Sequence, residues 1–552
     1  MGTALLSILG WGWWGYGFSG DYIVEFSDVL RVHQGSVPYL NFVPTYGILY
    51  PGLMSSLFCF GPNAVTAIFA ATILLVFCQL SGLLRMNILS TGFQQTVFAL
   101  LYLGLAAFSL TDSNFMIGFS QSSLFAGVLF SLTLLLLNKP ITPGRAAACG
   151  FLLGLQWFTK LDMTVPSLAI LFVLTLAARG ASTRCSLLIS YTTTVGLVVL
   201  LVLANGGQWA IFLESMTELL VAAPTLGSDS LLKQRMIAVA VGVGLTFVVM
   251  SHSRLKGLKR RLRTSWLLLF PLVGLMDLVR GENDPRKELV LIKWYLYCTT
   301  AWICMRFIWM FARRGWKVFH RERLLQFICL VVVCFFGCSR AFLSGWYPLG
   351  YSMPFLLLLL VASFPRPIQM PCGGVQGAIR VAWLAIALLF VGRAAVKYQA
   401  ASDLAVFASP HGPLRVTGEI HRTYSTYVDA AHQCGEIRRT FSTYPLLPVI
   451  LGSSSVNYHS VLFRLQWARP YDVQETRILR LLRDGNPELI LLENTASETK
   501  ALFGSDYGRK ILDHIEAHYE PVVSHGPGFD PKSRRDGSTL YRKKSPTAPP
   551  AR

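Results

Sequence analysis

Phe355-Leu356-Leu357-Leu358-Leu359-Leu360-Val361-Ala362 is an unbroken apolar run, and Val331-Val332-Val333-Cys334-Phe335-Phe336-Gly337 is a second one upstream of it. Neither alternates apolar with polar residues. A strand in the wall of a transmembrane barrel alternates, because its two faces meet lipid and lumen. A helix has no such requirement, and about 20 helical residues cross the hydrocarbon layer of a bilayer. Lipid admits only helices and closed barrels as spanning structures, since every backbone donor and acceptor must be satisfied internally. The two runs therefore predict membrane-spanning helices.

Working outward, comparable segments lie at about 63–84, 93–110, 120–137, 145–159, 163–178, 185–204, 236–250, 264–280, 289–311, 324–343, 350–364 and 377–395. A further one, about Thr3–Phe18, is short and rich in Gly and Trp. It lacks a basic n-region and a small-residue cleavage site, so it reads as a span, or the remnant of one, and not as a removable signal. Residues 207–223 are amphipathic, as expected of a segment lying on the membrane surface. The fold class expected is an α-helical polytopic membrane protein of about thirteen spans over residues 1–395. Composition agrees: of 552 residues 53% are hydrophobic and 14% charged, against about 25% charged in average globular chains. One large soluble core is excluded.

The net charge of +20 is open to two readings, a nucleic-acid surface or the excess of Lys and Arg on cytoplasmic loops. Its distribution favours the second. Arg85, Lys139, Arg145, Arg179, Arg184, the Arg254–Arg263 cluster, Arg313–Arg323 and Arg366 occupy alternate connectors. With those loops inside, residues 20–50, 111–119, 160–162 and 344–349 and the C-terminus face outward, and no nucleic-acid partner is expected. The eleven cysteines show no zinc or disulfide spacing.

After Val396 the chain is charged and mixes short apolar runs with helical patterns. Pro448–Leu451, Leu489–Leu492, Pro521–Ser524 and Thr539–Arg542 read as strands, and Thr476–Arg483 and Tyr507–His518 as amphipathic helices. Residues 396–542 are expected to form a soluble extracytoplasmic α/β domain, followed by a Pro-rich disordered tail over 543–552. Tyr424, Tyr427 and Tyr444 are open to a glycan-facing reading or a packing one.

The chemistry concentrates in residues 20–51. Asp21, Glu25 and Asp28 share a face of a helix. Three acids on one face repel, which raises at least one pKa unless a cation stands nearby. Such a carboxylate at the membrane boundary can serve as a general base, or the three can be a solvated helix end. The loop continues through Gly35-x-x-Pro38-Tyr39-x-x-Phe42 and Tyr46-Gly47-x-x-Tyr50-Pro51 to Phe60-Gly61. An acid just after the first span followed by these motifs resembles the first external loop of GT-C glycosyltransferases, most closely the RgtA/B/C/D-like group. Aminoarabinose–lipid A transferases and protein O-mannosyltransferases are more distant relatives. Gly150–Asp162 resembles that family's Gly-rich span ending in Thr-Lys.

The resemblance implies an inverting transfer of a sugar from a polyprenyl-phosphate donor to a hydroxyl of a lipid, glycan or protein acceptor, outside the cytoplasm. The bacterial inner membrane is the location it implies, with Asp21 in the place of the catalytic base. Glu25, Asp28, Tyr39 and Tyr46 belong to the same loop. The leaving phosphate needs positive charge; Lys160, beside Asp162, and Arg340, followed by Tyr347 and Tyr351, are candidates. Both cations also fit interfacial roles. Asp112, where relatives place a second acid, is open to acceptor or metal contact or to a turn role. His33 reads as loop surface, and no bound metal or other cofactor is expected. Asp277 and Arg280 read as a helical ion pair. A multi-pass transporter or flippase for a lipid or glycolipid is the alternative; such proteins usually carry internal repeats, and none is visible.

Overall fold

The structure is a computed structural model. It describes residues 21–44, 46–86, 88–111, 121–160, 163–213, 256–283, 291–292, 295–296, 298–304, 322–344, 353–362, 373–400, 405–416, 418–457, 471–494, 503–505, 507–532 and 537–544. The expected spans at Thr3–Phe18 and 236–250 lie outside these residues, as does most of 289–311.

The described residues are mostly helical. Among them, three helices are long and apolar enough to cross a membrane by length and composition: Leu49–Leu84, Ala181–Ala204 and Gly377–Val396. The first begins well before the expected 63. It bends at Gly61, whose φ of 56° lies outside helical space, so residues 49–63 are a helical approach to the span. Shorter apolar helices fall on six further expected segments: Gly92–Ala106, Gln121–Leu136, Thr164–Ala177, Ser265–Val279, Leu324–Gly337 and Met353–Ala362.

The chain divides into two compact units. One comprises Met1–Trp13, Thr72–Leu197 and Ala223–Ala401; the other comprises Trp14–Ala71, Val198–Ala222 and Ser402–Arg552.

In the first unit, buried side-chain N–H groups tie helices together through backbone carbonyls. The Gln156 side chain donates to Ala126 O at 2.8 Å, Gln326 to Leu134 O at 2.8 Å and Trp383 to Leu267 O at 2.8 Å. Such side-chain bonds hold helices together where lipid offers no hydrophobic drive. Gly150 and Gly154, one turn apart on the Pro143–Gln156 helix, let the Ala181–Ala204 helix approach closely. A Cβ on Gly150 would stand 2.3 Å from Leu187 O, and one on Gly154 2.9 Å from Thr194 Cβ. The glycines of this stretch thus have a packing reason. Gly150→Ala is expected to cost about 1–3 kcal/mol by overpacking and Gly150→Leu to abolish monodisperse folded protein. Size-exclusion profiles and thermal unfolding check both; an unchanged melting profile for Gly150→Leu would refute the contact.

In the second unit, β1 (Ala405–Ser409) and β2 (Gly412–Val416) form an antiparallel hairpin. The remaining strands are β3 (Arg439–Ser442), β4 (Ser454–Ser455), β5 (Leu489–Glu493), β6 (Tyr519–His525) and β7 (Ser538–Lys543). They form one sheet in the order β4-β3-β5-β7-β6. β3 runs parallel to β4 and β5, and β7 antiparallel to β5 and β6. Leu489–Leu492 of the central β5 are fully buried, as a strand covered on both faces requires.

Three of the four segments read as strands are β5, β6 and β7. Pro448–Leu451 is a correction: it belongs to a helix, Leu446–Leu451, closed by Gly452 in the left-handed conformation. Pro448 sits in the first turn, where a missing N–H costs little.

Candidate functional site

The Asp21–His33 helix carries the expected acids. Asp21 is its first residue. Glu25 and Asp28 are both buried, at 1% exposure, so the face they share is not a solvated helix end. Arg31 follows Asp28 by three residues, is 2% exposed, and supplies a cation on the next turn. Burial pushes its guanidinium down to about 10, with the Asp28 charge opposing; it stays charged at neutral pH.

The helix is seated on residues from the far end of the chain. Arg31 Nη2 donates to Asn457 O, and the guanidinium lies 4.1 Å from the Phe42 ring centroid, a cation–π contact. Asn457 in turn closes on β3: its Oδ1 accepts from Ser442 N at 3.1 Å and its Nδ2 donates to Ser442 O. Gln34 Nε2 donates to Gly452 O at 3.3 Å. The Asp21–His33 helix and the strand ends both belong to the second unit.

The rest of the loop packs similarly. Tyr39 adopts φ of 60°, rare for a residue with a side chain. Its carbonyl accepts from Gln208 N at 3.0 Å, and its ring meets Phe212 edge-on at 5.1 Å. Tyr39 and Tyr46 are both buried. The His33 ring stacks on Phe58 at 4.5 Å, and His411 meets Phe58 edge-on at 5.0 Å. Burial and the neighbouring His33 hold the His411 imidazole below its usual range. The sequence reading saw no second histidine near His33; His411 stands there because the β1–β2 turn is anchored through Val65 N to His411 O at 3.1 Å.

In the first unit, Lys160 follows the turn after the Pro143–Gln156 helix. It is 4% exposed, and its Nζ donates to Ser123 Oγ at 2.7 Å. Gln121, Ser122 and Ser123, at the start of the Gln121–Leu136 helix, are buried polar residues, as are Gln156 and Thr159. Lys160 thus stands in a buried polar cluster and not at a snorkelling position. Asp277 accepts from Leu291 N at 3.0 Å and Ile292 N at 2.7 Å, a backbone role beyond the expected pairing with Arg280. Asp112, Asp162, Tyr347 and Tyr351 lie outside the described residues, and Arg340 is placed only as part of the Glu322–Ser344 helix. Among the described residues no group of three or more His, Cys, Asp or Glu side chains is gathered as a metal site.

Sequence reasoning missed Arg31, Asn457 and Ser442. The i,i+3 spacing of Asp28 and Arg31 was visible, but nothing local marks residues 426 positions apart as neighbours.

No family model matches this chain, and no curated protein matches it. Among solved structures, it is similar to the single-particle cryo-EM structure of the arabinofuranosyltransferase AftD from mycobacteria, with 14% sequence identity and a TM-score of 0.43. The match covers 99% of this chain and 40% of that one, so the chain spans well under two thirds of that protein's length. At that TM-score the likeness carries no argument about fold or activity.

Proposed function

We propose that this chain is an integral membrane glycosyltransferase of the GT-C type. It moves a sugar from a polyprenyl-phosphate donor to a hydroxyl of a lipid, glycan or protein acceptor. In this reading about thirteen spans place the Asp21–His33 helix and a C-terminal α/β domain outside the cytoplasm, in a bacterial inner membrane. Asp21 removes the proton from the acceptor hydroxyl. The oxygen attacks the anomeric carbon, the bond to the polyprenyl phosphate breaks, and the configuration inverts.

The observation that carries the reading is the burial of Glu25, Asp28 and Arg31 on one helix. Burying charges is costly unless they are paired and fixed. A helix that buries acids beside a cation, instead of leaving them in water, is built to hold carboxylates in set positions. Desolvated acids of this kind are candidates for function. The Lys160 cluster supports the second half of the reaction. The Pro143–Gln156 and Thr164–Ala177 helices on either side of it have 14 residues each, about 21 Å apiece, short of the roughly 30 Å hydrocarbon layer. An ammonium between two such helices is within reach of a phosphate whose prenyl chain stays in lipid.

The test is the full chain in proteoliposomes with polyprenyl-phosphate sugars and an acceptor lipid. Release of free polyprenyl phosphate coupled to glycosylation of the acceptor is expected. Movement of the donor across the bilayer without release would instead establish the flippase alternative. Lys160→Met is expected to raise the donor KM or lower kcat by about tenfold or more, the worth of one charge-assisted hydrogen bond. Donor kinetics indistinguishable from the parent chain would remove Lys160 from the site.

A further inference from the structure

The Ala181–Ala204 helix ends in a turn that receives the first loop. Gly206 adopts φ of 87°. Gly206 N donates to Leu203 O at 2.9 Å, and Gly207 N to Val202 O at 2.9 Å. This pair of bonds is a Schellman motif, which satisfies the last carbonyls of a helix and turns the chain away from its axis. A Cβ on Gly207 would stand 2.5 Å from Val202 Cγ1 and 3.0 Å from Pro38 O, so the bare glycine lets residues 38–40 close on the turn. A Cβ on Gly206 would stand 3.3 Å from Leu40 Cδ2. Gln208 N then donates to Tyr39 O at 3.0 Å.

Beyond the turn, residues 209–213 are helical and apolar on both sides. Ile211 and Phe212 are buried, whereas Trp209 and Leu213, one turn apart, are 40% and 45% exposed. Leu40, against the same turn, is 38% exposed. Leu200, Leu201 and Leu203, in the last turns of the preceding helix, are exposed as well. Exposed apolar side chains thus continue from the helix across its cap to residues 209–213 and to the first loop. Contiguous apolar surface of this kind marks a partner or a membrane.

The helix itself selects the membrane. It is long and apolar enough to cross one, and no Lys, Arg, Asp or Glu occurs between Arg184 and Glu214. Its 24 residues rise about 36 Å, against roughly 30 Å of hydrocarbon. A span that enters near Arg184 reaches the opposite boundary in its last turns, so the cap and residues 209–213 fall at headgroup level. Trp is favoured there, because its ring is apolar and its one N–H meets water. The exposed polar residues around the turn, Asn41, Asn205 and Gln208, are neutral.

We propose that Leu40, Trp209 and Leu213 form one membrane-docking lip, inserted at the headgroup–acyl boundary of the leaflet at the C-terminal end of the Ala181–Ala204 helix. A line of contacts carries this anchorage to the acid-bearing helix. Trp209 stacks on Phe212 at 4.9 Å, and Phe212 meets Tyr39 edge-on at 5.1 Å. Tyr39 N donates to Phe42 O at 2.7 Å, and the Phe42 ring faces the Arg31 guanidinium. The sequence alone places residues 207–223 on the membrane surface; the share of the first loop in that surface comes from the structure. The docking stands whether or not the chain transfers sugars.

The experiment uses the full chain, one copy per nanodisc of phosphatidylethanolamine and phosphatidylglycerol. The bilayer contains a trace of phospholipid carrying a diazirine either close to the glycerol or at the acyl terminus. After photolysis, lipid adducts are mapped by peptide mass spectrometry. The shallow probe is expected to label Leu40, Trp209 and Leu213, and the deep probe to label them far less. Trp209→Ser is expected to lower the labelling of Leu40 and Leu213 about tenfold, the worth of one large apolar side chain leaving the interface. Trp209→Phe retains most of it, and Leu200 and Leu201 label equally in every variant. Trp209 is partly exposed, so its replacement leaves the fold in place; Leu213→Ser serves as the second variant. The Asp21→Asn chain labels like the parent, which separates docking from transfer. The proposal is overturned if Leu40, Trp209 and Leu213 take no label while Leu200 and Leu201 do, or if the deep probe labels them as strongly as the shallow one. It is also overturned if Trp209→Ser and Leu213→Ser both label like the parent, or if native mass spectrometry of the nanodisc-released protein shows a dimer that Trp209→Ser dissociates, which would assign the face to a second copy.

Discussion

Asp21→Asn is expected to lower the transfer rate by about 10²- to 10⁴-fold, the usual contribution of a general base, with little effect on folding. Asn is nearly isosteric with Asp and keeps an oxygen at the same place, but it cannot take up a proton. Asp21 opens the Asp21–His33 helix. An acid in a first turn gains only about 0.3–1 kcal/mol from the helix dipole, so neutralising it should leave the helix in place. The loss should fall on kcat and not on the donor KM, because the carboxylate acts on the acceptor hydroxyl. Asp21→Glu should restore part of the activity, since the base is present but displaced by one methylene. Glu25→Gln and Asp28→Asn serve as comparisons from the same face. Single-turnover transfer in proteoliposomes at saturating acceptor measures each. If Asp21→Asn stayed within threefold of the parent while Glu25→Gln lost activity, the base would be Glu25.

The sequence was informative wherever a property is local. Run length and lack of alternation marked the apolar helices, and the Gln121–Leu136, Thr164–Ala177 and Ala181–Ala204 helices fall within a few residues of the segments read from them. β5 was legible because Leu489–Leu492 is a short apolar run with flanking breakers. Pro448–Leu451 has the same appearance and is helical, since a four-residue buried run fits either structure and periodicity cannot decide. β3 and β4 were missed for a related reason: Arg439-Thr440-Phe441-Ser442 is mostly polar, and β4 has two residues. The loop motifs also proved to be packing devices in part, as Tyr39 and Tyr46 are buried. Least legible was the environment of the acids. Their spacing is local, but whether their face meets water depends on Asn457, far along the chain. A solvated and a buried acidic face look the same in sequence.

Arg31→Leu carries the largest expected stability effect, a loss of about 3–5 kcal/mol, as for removal of one member of a buried charge pair. Three consequences combine. The Asn457 carbonyl loses the guanidinium donor, Phe42 loses the cation 4.1 Å above its ring, and Asp28 is left buried without that positive charge. Leu fills much of the volume, so the loss reports charge and hydrogen bonding more than a cavity. Arg31→Lys should lose less, because it keeps the charge but not the planar fork that can bond and stack together. Neutralising both members separates the pair from its surroundings. If Arg31 chiefly offsets Asp28, adding Asp28→Asn to Arg31→Leu should recover about half the loss; if the Asn457 bond dominates, the second substitution should recover little. Hydrogen exchange distinguishes this from general destabilisation. Amides of Ser442 and Asn457 should exchange faster in Arg31→Leu while those of the Pro143–Gln156 helix, in the other unit, stay protected. A loss below about 1 kcal/mol, or uniform deprotection of both units, would mean that Arg31 does not fasten the acid-bearing helix to the strand ends.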